Sequence, residues 1–235
     1  MTLVASSIRR IVLAVAAGLL GAQDPFVAAR EHMVREQIES RGVRHREVLK
    51  AMRATPRHLF VPESLRAQAY EDHPLPIGLG QTISQPYIVA VMTELLDPRP
   101  GDQVLEIGTG SGYQAAVLAP LVRHVFTIEI VPELARAATD RLAGLGYRNL
   151  TVRHGDGYQG WPEKAPFDRI ILTAAPPHIP RALTDQLKNG GKLVAPVGAS
   201  PFDQELVVIE KTADGKLKRR SIFGVRFVPM VPGRQ

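Results

Sequence analysis

Two periodicities alternate along the chain from residue 103 onward. Apolar runs at 103–107, 124–130, 150–153, Phe167–Ala174 and Lys192–Pro196 predict buried strands. Between them, helical spacing predicts helices over 113–119, 132–143 and Ile179–Leu187. Glu205–Lys211 and Arg219–Val228 predict an antiparallel closing pair. Upstream, Met33–Ser40 and Arg46–Arg53 carry the stripe of short amphipathic helices. Pro56, Pro62, Pro74 and Pro76 break the next region into turns. Gln85-Pro86 then opens a helix with Ile88, Val89, Met92, Leu95 and Leu96 along one side. Strands alternating with helices predict an α/β fold, a mostly parallel sheet covered on both faces. A length of 235 residues suits one domain, taken as 31–235 behind an N-terminal extension of residues 1–30.

The stretch between the first predicted strand and helix carries the chemistry. Val104, Leu105 and Ile107 are followed by Gly108, Gly110 and Gly112, so the unit reads strand, glycine turn, helix. Residues without a Cβ let a ligand approach the backbone closely at the carboxyl end of a strand. A dinucleotide fingerprint places its third glycine five residues after the first, where this chain has Tyr113. The order Glu106-x-Gly108-x-Gly110-x-Gly112 instead resembles the first motif of S-adenosylmethionine-dependent methyltransferases, in which the acid sits near the methionine amino group. Glu129, 21 residues after Gly108, ends the second strand, where a carboxylate can accept hydrogen bonds from a ribose diol. Asp156, in His154-Gly-Asp-Gly157, ends the third; in that fold an acid there meets the adenine amino group. Glu106, Gly108, Gly110, Glu129, Asp156 and Gly157 are the expected cofactor-binding residues.

Composition removes other classes. With no cysteine, disulfides, thiolate metal sites and cysteine nucleophiles are excluded. The seven histidines show no paired ligand spacing, so no metal is expected. Net charge is +6, and from Lys211 onward seven basic residues face one acid, Asp214. A basic tail can attract nucleic acid, which would support a methyltransferase acting on RNA or a small molecule. No aromatics interleave the basic run, and Lys216–Arg220 reads more simply as a solvated edge strand. At the N-terminus, Arg9 and Arg10 precede ten uncharged residues, Ile11–Leu20, with Ala22 beyond. That run is too short to span a bilayer but has the form of a secretory signal. A cytoplasmic protein is expected because S-adenosylmethionine is held inside cells, with export as the alternative.

The second distinctive segment is Leu75-Pro-Ile-Gly-Leu-Gly-Gln-Thr-Ile-Ser-Gln-Pro86. Gly78 and Gly80 make it pliable, and Thr82, Ser84 and Gln85 stand just before a helix start. Helix N-terminal amides and hydroxyls suit an anion such as a carboxylate, while Ser84 could equally be the helix N-cap. Residues 33–229 as a whole resemble protein-L-isoaspartate O-methyltransferases. The matching pieces are Val34-Arg-Glu-Gln-Ile38, Pro56-Arg57 with Phe60-Val-Pro62, Gly80-Gln-Thr-Ile-Ser-Gln-Pro86, the glycine motif through Tyr113, His154–Gly157, Thr173-Ala-Ala-Pro-Pro177 and Val225-Arg-Phe-Val-Pro229.

This resemblance implies a Rossmann-like S-adenosylmethionine-dependent methyltransferase fold. It implies Ser84 as the active-site hydroxyl, with Thr82, Ser84, Val225, Arg226 and Phe227 contacting substrate. The acceptor is then the free α-carboxylate of an isoaspartyl residue in a damaged protein, whose methyl ester collapses to a succinimide. A carboxylate with reference pKa near ~4 is already ionised at neutral pH and needs no general base. That agrees with the absence of a Ser/His/Asp constellation. The reading is of a monomer acting on isoaspartyl peptides and proteins, with no nucleic acid and no stable membrane association.

Overall fold

In the computed structural model, residues 24–200 and 202–233 are described; the signal-like segment Arg9–Ala22 lies outside them. Nine strands and six α-helices are found among these residues. Seven strands form one sheet: β3 (Gln103–Ile107), β4 (His124–Glu129), β5 (Leu150–His154), β6 (Phe167–Leu172), β7 (Leu187–Val197), β8 (Gln204–Lys211) and β9 (Leu217–Val225). Their order is β5-β4-β3-β6-β7-β8-β9, parallel through β7 and antiparallel across β8 and β9. The chain steps from β3 outward to β5, then returns to the other side of β3 with β6. That reversal opens a crevice at the carboxyl ends of β3 and β6, where ligands of such sheets bind.

The apolar runs follow from burial on both faces. Val104, Val125, Ile171, Val194 and Val208 pack on one face with α2 (Arg46–Ala54), α3 (Pro86–Leu96) and α4 (Tyr113–Leu118). Leu105, Phe126, Ile170, Leu193 and Val207 pack on the other with Trp161 and Leu183. The remaining helices are α1 (Val27–His32), α5 (Pro132–Gly144) and α6 (Arg181–Asp185). The charges at the amino ends of the strands are structural: Arg169 lies 3.6 Å from Asp102, and Lys188 2.6 Å from Asp168.

Several boundaries differ from the sequence expectation. The helix expected over 179–187 is only Arg181–Asp185, because Pro180 is its extended N-cap and Leu187 already pairs with Phe167. The strand expected to reach Ala174 ends at Leu172, and the last one runs Leu217–Val225 rather than to Val228. The helix expected from Met33 is the continuation of α1 in wider π-type turns through Ile38. Ahead of it, Phe26 stacks on His58 at 4.3 Å and Arg30 bonds Asp24 and Tyr70, so contacts with the core begin before residue 31. The pliable segment forms a small antiparallel hairpin, β1 (Leu75–Gly78) and β2 (Gln81–Ile83).

Ile170 is fully buried on β6, between β3 and β7. Ile170→Ala is expected to lower unfolding free energy by about 2–5 kcal/mol. Urea denaturation measures this; an unchanged midpoint would contradict a tightly packed sheet centre.

Candidate active site

The turn after β3 is built by backbone conformations that side chains disfavour. Gly108, Gly110 and Gly112 have φ of 99°, 52° and 86°. A Cβ on Gly108 would stand 2.5 Å from Thr173 Oγ1, so the first glycine is required for packing against the end of β6. The Thr173 hydroxyl donates to the carbonyl oxygens of Gly108 (2.5 Å) and Ile107 (3.1 Å). From β4, Glu129 Oε2 accepts from the Gly110 amide at 2.7 Å, and its Oε1 from the Val131 amide at 3.0 Å. The carboxylate therefore fixes the turn, and Glu129 also lines the crevice.

These groups enclose a cavity of about 290 Å³, lined by the glycine turn, Glu129, Ile130, Gly157, Thr173 and the chain end Val228–Val231. Beside it runs a wider groove with Ile88, Phe202, Gln204, Val225, Arg226 and Phe227 on its walls. Thr82, Ser84, Thr173, Val228 and Pro229 line both, so the two spaces meet at these five residues. Of the expected cofactor residues, Gly108, Gly110, Glu129 and Gly157 line the cavity, while Glu106 and Asp156 do not. Asp156 Oδ1 accepts from the Tyr158 amide at 2.8 Å, and its side chain lies against Gly233.

Glu106 is fully buried behind the turn, beside Thr127, and neither carboxyl oxygen has a hydrogen-bond partner among the described residues. Burial pushes its pKa up to about 8, and the nearby Glu129 charge adds to the rise.

Ser84 precedes α3 but does not cap it. The N-cap is Gln85, without a side-chain cap bond, and Ser84 lines the junction with no side-chain hydrogen bond among the described residues. The α3 N-terminus, expected to be open to a substrate anion, is instead taken by Asp72. Its carboxylate accepts from the Tyr87 amide at 3.4 Å and from Gln85 Nε2 at 2.8 Å, and pairs with Arg41. Asp72 lies 14 positions before Pro86, so no local capping signal in the sequence announces it. Thr173 and the Val228–Val231 wall were also absent from the expected site; both fall within or beside the resemblance motifs, with nothing in residue type to mark their chemistry.

Residues 28–235 match the family described as Protein-L-isoaspartate(D-aspartate) O-methyltransferase. The chain belongs to that family. A protein-L-isoaspartate O-methyltransferase of Synechococcus sp. is 58% identical over 216 residues, 89% of this chain and 88% of its own. One from Cupriavidus necator is 51% identical over 230 residues, covering 94% and 89%. A solved protein-L-isoaspartate O-methyltransferase superposes with TM-score 0.77 at 30% identity over 85% of this chain, which spans 65% of that protein's length. A Plasmodium falciparum structure described as this methyltransferase in complex with S-adenosyl-L-homocysteine gives TM-score 0.74 at 25% identity, covering 86% of this chain and 98% of its own. Among the described residues no cluster suits a metal ion, and no helix is long and apolar enough to cross a membrane.

The Glu106 carboxyl gives the site a pH signature. An unfolded glutamate titrates near ~4.3, so from there to about 8 the folded state holds the proton more tightly. This contribution to stability is fully present below the unfolded pKa and is lost as pH rises through the folded one. Wild type should therefore lose unfolding free energy between about pH 5 and about pH 9, and Glu106→Gln, with no proton to lose, should lose less. Urea midpoints at the two pH values measure the difference; parallel curves would place an ionised carboxylate at Glu106.

Proposed function

We propose that this protein is an S-adenosylmethionine-dependent carboxyl O-methyltransferase acting on the free α-carboxylate of isoaspartyl residues in damaged proteins. The observation that carries the reading is the meeting of a nucleotide-type cavity and an open groove at the Ser84 hydroxyl. The residues present fit the methyl donor. Gly108 and Gly110 bare the backbone, Glu129 offers acceptors to a ribose diol, and the partnerless Glu106 carboxyl lies behind the turn. When bound, S-adenosylmethionine supplies a methyl group on a sulfonium that is its own leaving group.

The chain's own residues supply positioning. Val225, Arg226 and Phe227 form the groove wall that takes the substrate polypeptide, with Thr82 at its junction with the cavity. Ser84 donates its hydroxyl hydrogen to one oxygen of the substrate carboxylate and directs the other toward the cavity. No residue has to remove a proton, since the acceptor is ionised at neutral pH. Holding two reactants in line can contribute roughly 7–11 kcal/mol. The walls from Val228 to Val231 and from the glycine turn limit water at the reacting centre. Asp156, engaged with its own turn, would meet the adenine edge only across the Gly233 contact, and is the weakest of the assigned cofactor residues. We further infer a monomer working in the cytoplasm, where S-adenosylmethionine is made, without nucleic acid or a membrane. Cell fractionation tests that placement, and recovery outside the cytoplasm would overturn it.

Labelled methyl transfer to matched isoaspartyl and aspartyl peptides tests the function: only the isoaspartyl peptide should gain label. Two substitutions test the placement. Glu129→Ala should weaken S-adenosylmethionine binding roughly 10- to 100-fold, the scale of hydrogen bonds to a charged group, with calorimetry as the measurement. Undiminished affinity in folded protein would remove Glu129 from the ribose site. Ser84→Ala should lower turnover on an isoaspartyl peptide roughly 10- to 1000-fold and leave S-adenosylmethionine affinity nearly unchanged. An alanine variant as fast as wild type would end that role, and a methyl group found on Ser84 by mass spectrometry would make it a nucleophile instead.

A further inference from the structure

β9 ends the sheet, paired with β8 on one side and with no strand on the other among the described residues. Its first half, Leu217–Ser221, is exposed and holds Lys218, Arg219 and Arg220. Among the described residues, only Arg219 of these three has a carboxylate within 4.0 Å, that of Glu205 at 3.7 Å; Glu210, the register partner of Lys218, is engaged by Lys192. Arg226, exposed at the groove, has no acidic partner among the described residues and lies over the exposed Phe202 ring.

The direction of β9 joins these cations to the groove. It runs antiparallel to β8, which is antiparallel to β7, so β9 points the same way as the parallel strands. Its last residues, Gly224 and Val225, arrive in the groove wall. Lys218 and Arg220 stand opposite Glu210 and Val208, on the sheet face that carries α3. At ~3.3 Å per residue, the five to seven positions from Val225 back to Arg220 and Lys218 span roughly 17–23 Å of strand.

We propose that the free edge of β9 docks an extended stretch of the substrate polypeptide as an added strand, and that Lys218 and Arg220 select stretches carrying carboxylates. An extended chain held at the groove can continue along an unpaired edge by main-chain hydrogen bonds. Its side chains some four to seven residues from the methylated position then lie against the unpaired cations, with Arg226 at the near end. The occupant is an acidic segment of the damaged protein itself, so the inference rests on the proposed function. Edge lysines also guard sheets against aggregation, but that role would leave substrate preference untouched.

Three peptides with one central isoaspartyl residue test this: glutamates four to seven residues toward the N-terminus, the same toward the C-terminus, or glutamines at both. For wild type, one acidic peptide should show a KM roughly 5- to 10-fold below that of the glutamine peptide at equal kcat, an advantage that shrinks with salt. K218E/R220E should abolish the advantage and K218Q/R220Q reduce it, with S-adenosylmethionine affinity and glutamine-peptide kcat unchanged. Equal KM values for all three peptides in wild type would overturn the proposal even if the variants did not fold. So would an advantage that survives both variants. A labelled single-stranded RNA that binds through Lys218 and Arg220, with no peptide preference, would assign the edge to nucleic acid instead. Wild type that binds S-adenosylmethionine but methylates none of the peptides would overturn the proposed function, and this inference with it.

Discussion

Gly108 and Thr173 touch with no room for a side chain between them, and the cavity depends on that contact. The Thr173 hydroxyl ties the end of β6 to the carbonyl oxygens of Ile107 and Gly108, while Glu129 ties the end of β4 to the Gly110 amide. Three strand ends are thereby drawn to one turn. The same turn reaches the β1–β2 hairpin, since a Cβ on Gly110 would meet Ile77 Cδ1 of β1 at 3.4 Å. A disturbance at the glycines would thus move both the cavity wall and the hairpin that leads to Ser84.

The parts of the site that could be read from sequence are those with a backbone signature. Alternating glycines at a strand end imply φ values that other residues avoid, and Gly108, Gly110 and Gly112 all adopt them. The strands were legible because burial on both faces makes their runs apolar almost throughout. Where local pattern competed with pairing, pairing won. Leu187 joined β7 rather than the preceding helix, and the segment around Gly78 and Gly80 folded into a hairpin. Asp72 at the start of α3 was hidden for a related reason. It reaches Tyr87 and Gln85 from another turn, and no local rule connects positions so far apart.

Asp72 also explains why Ser84 is free. Helix starts usually recruit a nearby hydroxyl to satisfy their amides. Here Asp72 faces the Tyr87 amide, Gln85 fills the N-cap without using its side chain, and Pro86 has no amide hydrogen to satisfy. The hydroxyl two residues before the helix is left without a structural task. That leaves a polar group, without a side-chain hydrogen bond among the described residues, at the seam of the two spaces.

Charge is distributed in keeping with this division. Paired acids and bases hold the amino ends of the strands, away from the crevice, as in the Asp102–Arg169 and Asp168–Lys188 contacts. At the carboxyl ends, Glu129 contacts only amide donors, and Glu106 is kept from water without a counter-charge. A buried carboxyl of that kind costs free energy when ionised unless a cation approaches. An ammonium group carried by a ligand near the turn would relieve that cost, whereas a neutral ligand would not. With its pKa pushed up to about 8 by that burial, Glu106 is uncharged at neutral pH until such a cation approaches. Lys218 and Arg220, without an acidic partner among the described residues, lie instead on the open edge of β9, and Arg226 lies on the groove rim.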